Sequence, residues 1–138
     1  MTFTPEILTV LNQLRDHVAE NARNHGFKDP PKGIPLEVWQ SPELDVVRAA
    51  IYSSNQHGEA SEFWEAARKG ILSKPCDKSK DMIALGLPPL TNAQEEIADE
   101  IIRALDKAAE FKVDVSEAVA VKMAYNATRP HKHDGKLA

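Results

Sequence analysis

The sequence predicts an all-α protein, and three observations support this. Apolar residues recur every three or four positions in four segments, whereas no segment alternates with the period of a strand. Capping residues, glycines or prolines bound each of these segments. The chain of 138 residues, 42% of them hydrophobic, is also of the size of one domain. We therefore treat 1–138 as a single helical domain.

The first predicted helix runs from about Pro5 to Asn24. Thr4 is a suitable N-cap, Pro5 occupies the first helical position where proline is tolerated, and Gly26 ends the helix. Residues 28–38 contain three prolines and a glycine, which cannot continue a helix. This stretch is predicted to be a linker, so that 1–38 comprises an N-terminal helix and a proline-rich connection.

The second predicted helix starts at Ser41 and runs to about Lys69 before Gly70. Its apolar stripe consists of Leu44, Val47 and Ile51. Continued along the helix, this stripe reaches Glu62, with Glu59 at its edge. Because burying unpaired carboxylates is expensive, either this half of the helix projects into water or cations compensate its charge. The adjacent Phe63 and Trp64 favour the second alternative.

The third predicted helix follows a polar stretch, 73–81, and extends from a Thr91/Gln94 capping box to about Lys112. It has one broad apolar arc, made of Ile97, Ala98, Ile101, Ile102, Ala104, Leu105, Ala108 and Ala109. The remaining arc carries Glu96, Asp99, Arg103, Asp106 and Glu110. By periodicity alone the polar arc is predicted to be a solvated face, and Glu95 and Glu100 are predicted to be surface acids.

The fourth predicted helix runs from Asp114 to about Thr128, before Pro130. Its stripe continues onto Lys122, Asn126 and Arg129, which would project from one side over two turns. These residues are either a basic helix end that fits the helix dipole or a set of donors for an anion, and the pattern does not choose between the two. The polar tail 131–138 follows.

Composition excludes several classes of function. The formal net charge of −4 leaves no basic field for a nucleic-acid polymer. The single cysteine, Cys76, provides neither a disulfide framework nor a zinc cluster. No apolar run approaches the ~20 residues of a membrane span, and the N-terminus lacks a signal-peptide pattern. We therefore expect a cytoplasmic protein that does not enter a membrane.

Two acidic pairs are the main candidate site. Glu59 and Glu62 on the second helix, and Glu96 and Asp99 on the third, are each three residues apart and can share one cation. Carboxylate oxygens suit Mg²⁺, or Mn²⁺, better than softer metals. Weaker candidates are a tail metal site and residues that could line a base pocket. The former comprises His131, His133 and Asp134, and the latter Trp39, Asn55, His57 and Tyr125.

Three motifs together resemble a known family. They are His57-Gly-Glu-Ala-Ser-Glu62 continuing to Arg68-Lys-Gly70, Glu96-Ile-Ala-Asp99, and Lys122-x-x-x-Asn126-x-x-Arg-Pro-x-Lys-His133. In this combination the chain resembles the MazG-like nucleotide pyrophosphohydrolases of the all-α NTP pyrophosphatase superfamily, over about 39–136. A long, proline-containing linker between the acidic pairs departs from the family pattern.

The resemblance implies a bundle of four to five helices that assembles as a dimer or a dimer of dimers. It implies hydrolysis of a nucleoside triphosphate, NTP or dNTP, to the monophosphate and pyrophosphate, as in enzymes that clear non-standard or surplus nucleotides. Segment 39–130 would carry the catalytic helices. Carried over by position, Glu59, Glu62, Glu96 and Asp99 would hold Mg²⁺, and Lys122, Asn126 and Arg129 would bind phosphates. On chemical grounds one acid of the cluster, Glu62, is expected to accept the proton of the attacking water.

Two alternatives remain open at this point. One is the related phosphoribosyl-ATP pyrophosphohydrolase, which shares the helical acid motif. The other is a non-catalytic helical module that binds a nucleotide or another protein, in which the acids are ordinary surface groups. A ferritin-like di-iron bundle would require Glu-x-x-His pairs, which Glu59-x-x-Glu62 and Glu96-x-x-Asp99 do not provide.

Overall fold

The computed structural model describes residues 3–130 and confirms the all-α prediction. Six helices follow one another along the chain: α1 (Ile7–Asn24), α2 (Leu36–Trp39), α3 (Asp45–Arg68), α4 (Ser79–Ala84), α5 (Asn92–Glu110) and α6 (Val115–Ala127). A 3-10 turn, Pro42–Leu44, leads into α3. The described residues contain no strand beyond one isolated bridge between Pro75 and Thr91. None of the described helices combines the length and apolar character that a membrane crossing requires.

The four long helices coincide with the four predicted segments, whereas α2 and α4 lie in stretches predicted to be non-helical. The linker prediction is wrong at its C-terminal end because proline blocks only the helix that precedes it. Pro35 is extended at the N-cap of α2, and its carbonyl accepts a hydrogen bond from the Trp39 amide at 2.9 Å. One helical turn therefore follows Pro35 without conflict.

The predicted N-caps of α5 and α6 form as expected. The Gln94 amide donates to Thr91 Oγ1 at 3.3 Å, and the Thr91 amide donates to Gln94 Oε1 at 2.9 Å, which completes the capping box. Asp114 Oδ1 accepts from the Glu117 amide at 3.0 Å. Local sequence therefore determines where these two helices begin.

The long helices pack in the order α3, α5, α1, α6. The closest packing joins α3 to α5, α5 to α1, and α1 to α6, whereas α6 makes no comparable contact with α3 or α5. Asn12 attaches α6 to α1: its Nδ2 donates to Asp114 Oδ1 at 2.8 Å, and its amide donates to Ser116 Oγ at 3.0 Å. The four helices thus form an open row with α3 and α6 at its ends.

A line of charged and polar side chains joins α3 to α5. Arg48 is almost fully buried, and its Nε lies 3.1 Å from Glu110 Oε1. One turn further along α3, the Tyr52 hydroxyl donates to Glu110 Oε2 at 3.1 Å. The linker joins this network, because Lys28 Nζ pairs with Asp106 Oδ1 at 2.6 Å. We call this set of contacts between α3 and α5 the polar seam.

The polar seam contradicts the prediction that the polar arc of α5 is solvated. That arc faces α3, and the side chains of Asp106 and Glu110 are largely buried. Part of each apolar arc is exposed instead: Val47 and Ile51 on α3 are each 45% exposed, and Ile97 and Ile101 on α5 are each 48% exposed, whereas Leu105 of the α5 arc is buried. The predicted stripe of α3 is therefore not its buried face. Periodicity distinguishes two faces of a helix but does not say which face meets a neighbour.

The buried apolar residues of the described chain are small. They are Ala19, Ala22, Ala66, Cys76, Leu105 and Ala120. With Leu105 as the only large member of this set, the core supplies little of the apolar burial that normally stabilises a domain of this length. The single chain therefore leaves much of its apolar surface available for contact.

A first prediction concerns the end of α5, where Lys112 adopts φ +54°, in the left-handed region that favours glycine. The Val113 amide donates to the Ala108 carbonyl at 2.9 Å, so this residue occupies the usual glycine position of a helix end. We expect Lys112→Gly to raise the free energy of unfolding by about 0.5–1 kcal/mol in urea titration.

Lys112→Ala is the matched control, because it removes the same side chain but keeps the Cβ atom. It should give no comparable gain. Equal stabilisation by alanine and glycine would contradict the assignment of strain to the backbone at this position.

Candidate metal centre

The two acidic pairs meet at the end of the polar seam. The helices α3 and α5 run antiparallel, with Arg48 beside Glu110 and Glu59 beside Arg103. This arrangement brings the Glu59 turn of α3 against the first two turns of α5. The structure thus brings together two pairs that are separated by more than thirty residues in the chain.

Three of the four predicted ligands form one group. Glu59, Glu96 and Asp99 each offer a carboxylate oxygen, and these three oxygens lie within 4.8 Å of one another. Glu96 Oε2 is buried and has no hydrogen-bond partner among the described residues. An orphaned carboxylate oxygen among others is the environment that a hard cation satisfies, because Mg²⁺ takes oxygen ligands. The donor set therefore fits Mg²⁺ or Mn²⁺.

Glu62 lies beside this group on the more exposed side of α3. Desolvation and, after it, the neighbouring carboxyl of Glu59 raise the pKa of Glu62 above its ordinary value. Glu62 also interacts with Glu96 across the two helices. It is thus adjacent to the three grouped carboxyls without belonging to the tightest set.

The raised pKa of Glu96 shows that the cluster opposes negative charge. Desolvation is the largest cause, followed by the charges of Glu62 and Glu95, and together they raise the pKa of Glu96 to about 7. Desolvation and the charge of Glu59 also raise the pKa of Asp99. Carboxyls that resist ionisation in the absence of a cation gain the most from binding one.

Two cations lie at the edges of the cluster, and the sequence did not identify either as a site residue. Arg103 Nε donates to Glu59 Oε1 at 2.8 Å. Lys78, in the turn before α4, pairs with Glu95. Glu95 is 6% exposed, so its prediction as a surface acid is wrong. The positive charges of Lys78 and Arg103 both lower the pKa of Asp99, which offsets part of the rise.

The sequence indicated the position of Arg103 but not that of Lys78. Arg103 is one helical turn after Asp99, so the i,i+4 spacing already placed it near the acidic pair. Lys78 is 17 residues before Glu95 and lies in the turn before α4, and no periodicity links the two. Only the path of the loop between α4 and α5 brings Lys78 to this position.

The predicted phosphate-binding residues lie on α6 and not beside the cluster. Lys122 and Asn126 are exposed on a helix that packs against α1, and Arg129 follows its C-terminal end. Lys122 Nζ lies 5.0 Å from the ring centroid of Tyr125, over its face. Within one chain, the fold does not join this cationic stripe to the carboxylates.

The four candidates for a base pocket are scattered. The carbonyl of Trp39 accepts a hydrogen bond from Arg48 at the start of the polar seam, and Asn55 is exposed on α3. His57 lines a cavity of about 320 Å³ beside Glu100 and Lys107. Tyr125 is on α6. These residues lie on three different helices, and their role in base recognition stays a prediction.

The remaining candidates have simpler explanations or fall outside the described residues. Cys76 is buried, and its Sγ lies 3.4 Å from Ser79 Oγ. Cys76, Asp77 and Glu95 form a second potential ligand group, but Lys78 already compensates the charge of Glu95. The tail candidates His131, His133 and Asp134 lie outside the described residues.

Comparison with known proteins adds no identification. No family model, no curated protein and no solved structure matches the chain. The resemblance to the MazG-like pyrophosphohydrolases therefore rests on the three sequence motifs alone.

A second prediction follows from the raised pKa of Glu96. Because the folded-state pKa lies above the ordinary value of 4.5, ionisation opposes folding as the pH rises from about 4.5 through 7. In the presence of a chelator we expect the protein to unfold at a lower temperature at pH 7.5 than at pH 5.5. Mg²⁺ should stabilise it more at the higher pH, because binding requires deprotonated ligands.

Glu96→Gln should raise the unfolding temperature at pH 7.5 and reduce this pH dependence, and Glu100→Gln on the same helix is the control. Differential scanning calorimetry at the two pH values measures both effects. A pH dependence that Glu96→Gln leaves unchanged would assign the effect to other groups.

Proposed function

We propose that this protein is a Mg²⁺-dependent nucleotide pyrophosphohydrolase that converts a nucleoside triphosphate, NTP or dNTP, and water to the monophosphate and pyrophosphate. The observation that carries the proposal is the group formed by Glu59, Glu96 and Asp99, which includes a buried carboxylate oxygen without a partner. The three sequence motifs supply the reaction class. The proposal includes a cytoplasmic location and a role in clearing surplus or non-standard nucleotides.

In this proposal each carboxylate has a distinct task. Glu59, Glu96 and Asp99 hold Mg²⁺, for which Mn²⁺ can substitute. Glu62 lies beside them and is the fourth carboxylate of the site. When bound, the metal neutralises the carboxylates and the triphosphate and lowers the pKa of a bound water. Glu62 accepts the proton of the attacking water, because its raised pKa makes it a better base than an ordinary surface carboxylate.

A third prediction is that the purified protein releases pyrophosphate from at least one NTP or dNTP, and that Mg²⁺ is required. Glu62→Gln should lower kcat by about 100-fold or more, since it removes the proton acceptor. Asp99→Asn should remove activity by weakening the metal site. A panel of nucleotides with a coupled pyrophosphate assay, together with circular dichroism of each variant, measures these effects.

Glu65→Gln is the matched control, because Glu65 lies on α3 one turn after Glu62 but pairs with Arg68 and Lys69 at the surface. Its activity should stay within about twofold of the parent, since exposed pairs contribute little. Absence of pyrophosphate release from every nucleotide by the folded protein would overturn the proposal. A preference for phosphoribosyl-ATP over free nucleotides would instead select the related enzyme of that specificity.

The proposal also includes a homo-oligomer, a dimer or a dimer of dimers, that covers the outward apolar arcs. Domains normally consist of at least two packed layers around a core, whereas the long helices here form one open row. The outward residues Ile97 and Ile101 form a stripe on α5 together with the half-buried Ala104 and Ala108. A second copy provides an identical apolar stripe, which suits a two-fold interface.

In the proposed oligomer, the α6 residues of one copy would lie near the carboxylate cluster of another. Because α6 packs on α1 in its own chain, the proposal assigns Lys122, Asn126 and Arg129 to a metal-bound triphosphate at the cluster of another chain. In the proposed assembly these residues contact the phosphates across the interface between copies.

A fourth prediction is that the protein has about two or four times its chain mass of 15.3 kDa in multi-angle light scattering. Ile101→Arg should dissociate it, because the substitution places an unpaired charge within the apolar stripe. Ile83→Arg is the control, since Ile83 is exposed on α4 and lies outside that stripe. A monomeric parent, or dissociation by the control alone, would contradict this interface.

A further inference from the structure

The charges of the acidic cluster are incompletely balanced within the chain. Five carboxyl groups lie together at this end of the polar seam: Glu59, Glu62, Glu95, Glu96 and Asp99. Two cations accompany them, Arg103 on Glu59 and Lys78 on Glu95. Arg103 belongs to α5, and Lys78 lies in the turn before α4.

The contact with Glu59 involves only one nitrogen of the Arg103 guanidinium. The contact involves Nε, and the terminal nitrogens Nη1 and Nη2 have no hydrogen-bond partner among residues 3–130. A guanidinium carries five N–H donors in a planar fork that suits phosphate and carboxylate oxygens alike. The side chain is 44% exposed, although Glu59 itself is largely buried. Arg103 can therefore hold Glu59 on one edge and accept an anion on the other.

Lys78 has a similar arrangement. Its ammonium pairs with the buried Glu95, yet the side chain remains 61% exposed. Its charge also reaches Asp99, whose pKa it lowers. An ammonium has three donors, so the pair with Glu95 leaves donors for a second anionic partner.

A purely structural explanation accounts for only part of this arrangement. Neutralising Glu59 and Glu95 in the folded chain explains one contact of each cation. It does not account for the exposure that both cations keep beside carboxylates that would hold a metal. Cations at the edge of such a site can contact oxygens of a metal-bound anion that the metal does not reach.

We propose that Arg103 and Lys78 bind the phosphate oxygens of the metal-bound substrate at the edge of the cluster, in addition to any contact from α6. The proposal rests on the proposed function and adds two phosphate-binding residues from the same chain as the metal ligands. The ligand chemistry that they recognise is a polyphosphate chelated to a divalent cation.

The test separates metal binding from anion binding by calorimetry, and it needs no turnover. Mg²⁺ is titrated alone, and inorganic pyrophosphate is then titrated in the presence of saturating Mg²⁺. For Arg103→Gln and Lys78→Gln we expect pyrophosphate to bind about 10- to 100-fold more weakly, the usual loss of a charge-assisted contact. The affinity for Mg²⁺ alone should stay within about threefold of the parent.

Matched variants control for charge and for folding. Lys80→Gln removes the same charge from α4, and Lys107→Gln removes a cation from α5 that donates to Gln56 away from the cluster. Both should bind pyrophosphate like the parent. Arg103→Lys keeps the charge and should recover part of the affinity, whereas circular dichroism confirms that each variant is folded.

The outcomes are distinct. Unchanged pyrophosphate binding in both Arg103→Gln and Lys78→Gln overturns the inference and leaves the proposed function intact. A loss of Mg²⁺ affinity in Arg103→Gln, with normal pyrophosphate binding at saturating Mg²⁺, also overturns it, because Arg103 would then only orient Glu59. A parent protein that binds no Mg²⁺ at the cluster overturns the proposed function, and the inference with it.

Discussion

The charge pairing between α3 and α5 is the interaction on which the rest of the structure depends. Arg48 is buried against Glu110, and Glu59 lies against Arg103 at the other end of the same interface. Removing one partner of the buried Arg48–Glu110 pair would leave the other charge uncompensated, which is strongly destabilising. The polar seam therefore determines the register of the two helices, and this register brings Glu59 to Glu96 and Asp99.

The seam also reverses the usual arrangement of an amphipathic helix. The polar arc of α5 faces its neighbour, so that the isoleucines on the other arc point away from α3. A row of helices arranged in this way has a weak core of its own and a large apolar surface. The same packing of α3 on α5 brings the two acidic pairs together and leaves apolar surface exposed.

In the candidate site the carboxylates repel one another, and two nearby cations compensate only part of their charge. Desolvation and neighbouring carboxylates hold the pKa of Glu96 near 7, whereas Lys78 and Arg103 favour the charged form of Asp99. The cluster therefore keeps part of its negative charge, which a bound cation would neutralise.

The sequence by itself determined the helices and the residue types of the site. Hydrophobic spacing, the Thr91 capping box and glycines such as Gly70 specify α1, α3, α5 and α6, because these signals act within a few residues. The i,i+3 spacing likewise identified both acidic pairs. Only the tertiary structure decided which helix faces are buried and which cations reach the carboxylates. Arg48 with Glu110, and Lys78 with Glu95, are contacts between residues distant in the chain, and local periodicity carries no information about such contacts.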